Sequence, residues 1–220
     1  RIAGLEVVDI INEPTAAALT YAWTRGALGK SGPGEPRRIL VYDLGGGTFD
    51  VTLVEITAAH LRVRATDGDT MLGGLDWTNR LAEAVAEDII GQGGTDPREV
   101  SGVGFRLLQL CEDAKRDLST RMVTTVRLAH DGKEYSIDLT RSRFERETAD
   151  LLQRTRDTTE LVLVQADISG TDLDDIVLIG GSTAMPGVRA MLEELGGKPP
   201  STILDPQLAG GAREGRDALQ

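Results

Sequence analysis

Ile39-Leu-Val-Tyr-Asp-Leu-Gly-Gly-Gly-Thr-Phe-Asp50 is the stretch that decides the fold of this 220-residue chain. Ile39 to Tyr42 is a short apolar run with β-branched and aromatic character, the pattern of a buried strand. Asp43 closes that run, and Gly45, Gly46 and Gly47 follow. Consecutive glycines let the backbone turn tightly and aim successive N–H groups into one concavity, which is how a chain cradles phosphate oxygens. Thr48 adds a hydroxyl donor, and Val51 to Ile56 continues as the returning strand. A bare Gly-Gly-Gly is more often an ordinary hairpin. Here Asp43 and Asp50 bracket the turn, and carboxylates beside a phosphate nest need a cation between them. The pattern implies Mg²⁺ and a nucleotide.

Working outward, Arg38 to about Asp67 reads as three strands in a meander. Leu5 to Ile11 is apolar enough for a strand leading into a helix capped by Asn12, with Pro14 tolerated in the first turn and Ala16 to Leu19 favouring helix. Gly26 to Arg37 is a loop by its glycines, prolines and charge. Gly73-Gly74 precedes an amphipathic helix from about Asp76 to Ile90, and Gly91 to Gly104 is a polar loop in which helix could already begin near Pro97. Phe105 to Ser119 is helical. Met122 to Ala129 and Glu134 to Leu139 flank Asp131-Gly132, a hairpin signal. Thr140 to about Ala166 is a long charged helical stretch with a break expected near Asp157. Ile176 to Ile179 is a buried strand, and Pro186 opens a helix that runs to Leu195. Alternating sheet and helix argue an α/β fold with a mixed sheet.

A net charge of −11 argues against nucleic acid as a partner, because a phosphate backbone needs a basic surface. No apolar run is long enough to span a membrane, and the N-terminus lacks a basic-then-apolar signal pattern. A single cysteine, Cys111, excludes an internal disulfide and fits a reducing compartment. It lies among Leu107, Leu110, Ala114 and Leu118, so a packed thiol is expected. His60 and His130 are too few and too far apart to suggest a metal site. The chain starts at Arg1 without a methionine and reads as a piece of something longer.

Two further patterns could carry chemistry. Glu112, Lys115, Arg116 and Ser119 fall at i, i+3, i+4 and i+7, so they share one helical stripe. From spacing alone this is a solvated face with ion pairs worth roughly 0.2–0.5 kcal/mol each. Gly180-Gly181-Ser182 lies between a buried strand and the helix opened by Pro186, where backbone can approach a flat ligand closely. A plain strand-to-helix turn explains it about as well.

Asp43-Leu-Gly-Gly-Gly-Thr-Phe-Asp50 resembles the second phosphate motif of DnaK-type heat-shock chaperones (the heat shock protein 70 family), within the actin-like ATPases. Asn12-Glu-Pro-Thr-Ala-Ala-Ala-Leu19 resembles that family's interlobe hinge helix. Cys111-Glu-Asp-Ala-Lys-Arg-Asp-Leu-Ser119 resembles its adenosine-facing helix, and Ile176-Val-Leu-Ile-Gly-Gly-Ser-Thr-Ala-Met-Pro186 its adenosine loop. Four motifs in order over about Ile2 to Pro206 are far more specific than any one of them.

The resemblance implies the second lobe of an actin-like (ribonuclease H-like) ATPase. Residues 38–75 and 167–205 would form its core subdomain, and 76–166 an inserted helical and hairpin subdomain. Residues 1–37 would belong to the hinge and first lobe, and 206–220 would be a loosely ordered tail. It implies ATP or ADP with Mg²⁺: Glu112, Lys115, Arg116 and Ser119 on adenine and ribose, Gly180, Gly181 and Ser182 against the base, and Gly45, Gly46, Gly47 and Thr48 on the γ-phosphate. Asp43 would meet Mg²⁺ through water or orient the attacking water, and Glu13 would stand near that water with Pro14 as a rigid switch.

Ala184 departs from the family, most members of which carry an arginine over the adenine there, and Gln207 stands where an ion-associated aspartate is expected. The first phosphate loop and catalytic lysine would precede Arg1, and a client-binding domain and lid would follow Gln220. In such a parent protein ATP hydrolysis gates the binding of client peptide, exchange factors contact the inserted subdomain, and a J-domain co-chaperone acts near the hinge, all in the cytoplasm. The alternatives are a non-catalytic relative of the chaperones and another actin-like ATPase or sugar kinase.

Overall fold

The computed structural model describes residues 4, 7, 11–24, 36–57 and 60–201. The strand expected at Leu5 to Ile11 falls almost wholly outside the described residues, as do most of the Gly26 to Arg37 loop and everything from Asp205 to Gln220, Gln207 included.

Four strands form a mixed sheet in the order β3-β2-β1-β6: β1 (Arg37–Leu44), β2 (Phe49–Ile56), β3 (Leu61–Asp69) and β6 (Asp175–Ile179). The meander pairs antiparallel, and β6 returns to lie parallel to β1, with Leu40 opposite Ile176 and Asp43 opposite Ile179. Val54 pairs with Val63 and Leu53 with Ala65, which leaves Arg64 as the extra residue of a bulge on β3. Arg64 reaches Glu55 at 2.7 Å.

Strand alternation sorts the apolar side chains into two layers. Ile39, Val41, Val54, Ile56, Val177 and Ile179 meet Ala17, Ala18, Tyr21 and Ala22 of α1 (Glu13–Thr24). Leu40, Tyr42, Leu44, Phe49, Val51 and Leu53 face the opposite way, into the larger core. β1 is buried on both faces, as its unbroken apolar run requires.

That larger core continues through α2 (Gly74–Gly91), α3 (Ser101–Thr120) and the hairpin of β4 (Val123–His130) and β5 (Lys133–Thr140). Asp131 and Gly132 both take positive φ, 51° and 69°, as a two-residue Asp-Gly hairpin demands. Before α3 a short 3-10 turn, Pro97–Glu99, starts the helical path at the proline. Cys111 is fully buried in this core, the packed thiol its neighbours foretold.

The expected helix break near Asp157 is not there. The chain breaks at Thr148 instead, between α4 (Arg141–Glu147) and α5 (Ala149–Gln165). The buried Thr148 hydroxyl donates to the Phe144 carbonyl at 2.8 Å and takes up the last turn of α4. Asp157 accepts a 2.7 Å bond from the Gln153 amide one turn back, a pairing that supports continuous helix. α5 lies on the sheet and α6 (Pro186–Gly196) follows β6 after a 3-10 turn at Gly181–Ala184. Among the described residues no helix is long and apolar enough to cross a membrane.

Candidate functional site

The β1–β2 connection is closed by a 3.0 Å bond from the Gly45 N–H to the Thr48 carbonyl. None of Gly45, Gly46 and Gly47 takes positive φ, so the turn's handedness does not require them. The space above them does. A Cβ at Gly46 or Gly47 would meet nothing within 4 Å, and both residues and Thr48 are exposed. Among the described residues no acceptor pairs with the N–H groups of Gly46, Gly47 or Thr48. Three free donors over an open cradle fit an anion.

The Gly45 carbonyl joins three segments. It accepts from the Gly74 N–H at 2.9 Å and from the Ser182 hydroxyl at 3.0 Å, while the Gly46 carbonyl accepts from Leu75 N–H at 2.8 Å. The first turn of α2 thus docks on the glycine turn through backbone alone. Gly73 permits it, since a Cβ there would lie 2.5 Å from Gly47 Cα. Gly180, at φ 83°, would bring a Cβ to 2.2 Å from the Leu44 carbonyl oxygen and 2.9 Å from Asp43 Oδ1. Gly180 therefore needs glycine both for its backbone angle and for its close approach. Gly181 beside it is open, and Ala184 is exposed.

Asp43 is half-buried at the end of β1, opposite Asp50 across the hairpin. Burial, then the charges of Glu13 and Asp50, push its carboxyl up to about 6. The first residue of α1 and both ends of the glycine hairpin thus bring three carboxylates into electrostatic contact. Among the described residues no group of three or more His, Cys, Asp or Glu is placed to hold a metal ion directly. A single half-buried carboxylate beside an anion cradle suits Mg²⁺, which keeps several waters and takes few protein ligands.

The α3 stripe is not the solvated face that spacing alone suggests. The Lys115 side chain is 7% exposed, and its ammonium donates to the Gly74 carbonyl at 2.7 Å, to Thr78 Oγ1 at 2.9 Å and to Glu112 Oε2 at 2.7 Å. All three of its protons are engaged within the protein. Burial depresses its pKa, and the Glu112 carboxylate offsets part of that. Glu112 is pushed up by its own burial, but bonds from Lys115 and Thr78 outweigh that and leave it below the usual carboxylate range. Its other oxygen, Oε1, holds the Arg116 guanidinium at 3.0 Å, and Arg116 is exposed. The Ser119 hydroxyl donates back to the Lys115 carbonyl at 3.3 Å. The exposed edge of the stripe is therefore Glu112 with Arg116.

Every described residue singled out in the sequence lies on the glycine turn, the α1 start, the α3 stripe or the β6–α6 turn. Gly73, Gly74 and Thr78 join them as residues the motif reading did not assign. The Gly-Gly pair was a usable signal, because paired glycines at a helix start mark close backbone approach. A threonine inside a helix carries none. Two clefts of about 340 and 520 Å³ open between the start of α3 and the β4–β5 hairpin, along Val103, Ala129 and Glu134, and share no residue with this site. The site is an open face.

A mixed sheet with helices on both faces, a glycine turn joining its two central strands, and a helical and hairpin layer lying between β3 and β6 in sequence define the actin-like α/β class. A family model described as Hsp70 protein matches residues 1–212, and the chain belongs to the Hsp70 family. It is similar to chaperone protein DnaK of Thermotoga petrophila, 43% identical over 215 residues, with 94% of this chain and 35% of that protein covered. The corresponding protein of Halobacterium salinarum is 41% identical over 215 residues, covering 95% and 33%. That of Trichormus variabilis is 41% identical over 212 residues, covering 94% and 30%. The chain spans about a third of the length of the curated relatives it matches.

Proposed function

We propose that this chain forms the adenine-nucleotide-binding face of one lobe of a DnaK-type ATPase, taking ATP or ADP with Mg²⁺. The observation that carries the proposal is the meeting of three segments at the Gly45 carbonyl beneath three amides that have no acceptor among the described residues. Gly46, Gly47 and Thr48 would hold the terminal phosphate, the γ-phosphate of ATP or the β-phosphate of ADP. Glu112 and Arg116 would meet the ribose and base edge, with Lys115 and Ser119 in support, and Gly180, Gly181 and Ser182 would form the floor under the base. Bound Mg²⁺ supplies charge neutralisation at the phosphates. Asp43 would hold its water shell, and Glu13 would share with Asp43 the orientation of an attacking water. Such chemistry is positioning plus electrostatics, with little covalent work by the protein.

In the whole protein we propose that hydrolysis gates client peptide, with residues 76–166 meeting an exchange factor and the hinge side meeting a J-domain co-chaperone. Calorimetric titration with ADP, with and without Mg²⁺, beside Glu112→Ala tests the nucleotide proposal. Binding that Mg²⁺ strengthens and that the variant loses is expected. Binding unchanged in Glu112→Ala would move the nucleotide off this face.

A further inference from the structure

Thr78 belongs to none of the motifs, yet it is 2% exposed and stands at the centre of the polar knot between α2 and α3. Its hydroxyl lies 2.6 Å from Glu112 Oε2 and 3.1 Å from the Gly74 carbonyl, and it accepts from Lys115 Nζ at 2.9 Å. One proton cannot serve both acceptors fully, so Glu112, at the shorter distance, takes it. Gly74 is the far end of the knot, and it passes its own N–H to the Gly45 carbonyl while Leu75 N–H goes to Gly46. Gly74 is closely packed, since a Cβ there would come within 2.1 Å of Ser182 Oγ and 3.2 Å of Lys115 Nζ.

We infer that Thr78 is a positioning residue that ties the carboxylate of the ribose edge to the phosphate turn. Resting on the nucleotide assignment above, this makes Glu112 Oε2 fixed and Oε1 the ligand side. An unbroken line runs from Glu112 through Thr78 and Lys115 to Gly74 and the Gly45 turn. Networks of buried polar groups rigidify when fully satisfied and loosen when one member is lost. Without the Thr78 hydroxyl, Lys115 alone links Glu112 to the Gly74 carbonyl, so the first turn of α2 is held less tightly and the Gly46–Thr48 amides are aimed less sharply. The phosphates then contribute less to binding, while the adenosine contacts largely persist.

The test compares adenosine with ADP on the 220-residue chain by calorimetry, for wild type, Thr78→Val and Thr78→Ser. Thr78→Val is expected to shrink the preference for ADP over adenosine by about tenfold, the weight of one hydrogen bond to a charged group. Thr78→Ser, which keeps the hydroxyl, restores it. Amide hydrogen exchange without nucleotide gives a second readout. Leu75 N–H, which bonds to Gly46, exchanges faster in Thr78→Val and at the wild-type rate in Thr78→Ser. Should the valine variant not fold, Thr78→Cys offers similar size with a far weaker hydrogen bond. An unaltered ADP-to-adenosine ratio together with unaltered Leu75 exchange overturns the inference. A wild-type chain that binds neither ligand refutes the nucleotide assignment instead, and Leu75 exchange still decides the tie.

Discussion

One methyl group, added in turn at Gly46, Gly47 and Gly73, separates what the glycine turn does for a ligand from what it does for the fold. At Gly73 the new Cβ would lie 2.5 Å from Gly47 Cα and N and 2.6 Å from Gly46 C, all backbone atoms with no flexible end to yield. The start of α2 must back away, which breaks the Gly74-to-Gly45 and Leu75-to-Gly46 bonds. Two such bonds at about 1 kcal/mol each, with overpacking of about 1–3 kcal/mol, predict a loss of about 3–5 kcal/mol for Gly73→Ala. That is a large part of the roughly 5–15 kcal/mol that holds a domain folded. Gly46→Ala and Gly47→Ala meet nothing within 4 Å and need no positive φ. Their stability is expected to stay level or rise by about 0.4–1 kcal/mol through the unfolded chain. The same methyl stands where phosphate oxygens would meet the amides, so ADP binding is expected to fall about tenfold or more. Urea unfolding followed by circular dichroism reads the first effect and calorimetry the second. Wild-type ADP affinity in both Gly46→Ala and Gly47→Ala would refute the phosphate cradle. A wild-type urea midpoint for Gly73→Ala would refute the docking of α2.

Two further outcomes follow from burial. Asp43 has its pKa raised to about 6, so the folded state holds a proton that the unfolded chain releases in the ordinary carboxylate range. The stability from this group is present below that range and is lost as pH climbs through about 6. Asp43→Asn should therefore gain on wild type as pH rises from about 4 to 7, by about 1–2 kcal/mol once solvent screening of a half-buried group is allowed for. Urea midpoints across that range check it, and parallel curves for the two proteins would sink it. Cys111, fully buried and pushed up to about 12 by that burial, should resist thiol reagents in the native state at pH about 8 and react only as fast as the chain opens. Rapid stoichiometric labelling of folded protein would contradict its packing.

Much of this architecture was legible in the chain. The apolar run of β1, the Asp-Gly turn at 131–132 and Pro186 at a helix start each act through neighbours in sequence, and the structure places all three as read. Thr148 was not legible as a helix break. Its hydroxyl bonds back to the Phe144 carbonyl, but Thr20 and Thr158 make the same bond inside unbroken helices, so nothing local marks Thr148 as the place where the chain breaks. The stripe from Glu112 to Ser119 shows the same limit. Spacing placed the four residues on one helical face, but it could not tell a solvated ion-pair ladder from a buried knot. Lys115 lost its solvent because α2 packs over it, and its partners Gly74 and Thr78 lie 41 and 37 positions away.

Local periodicity, turn chemistry and the ordered motifs determined most of the strands and helices and the Hsp70 family, because each is written in residues a few positions apart. The closure of the site was decided in three dimensions, where Gly45 meets Gly74 and Ser182 across gaps that only the packed sheet and helices could bridge.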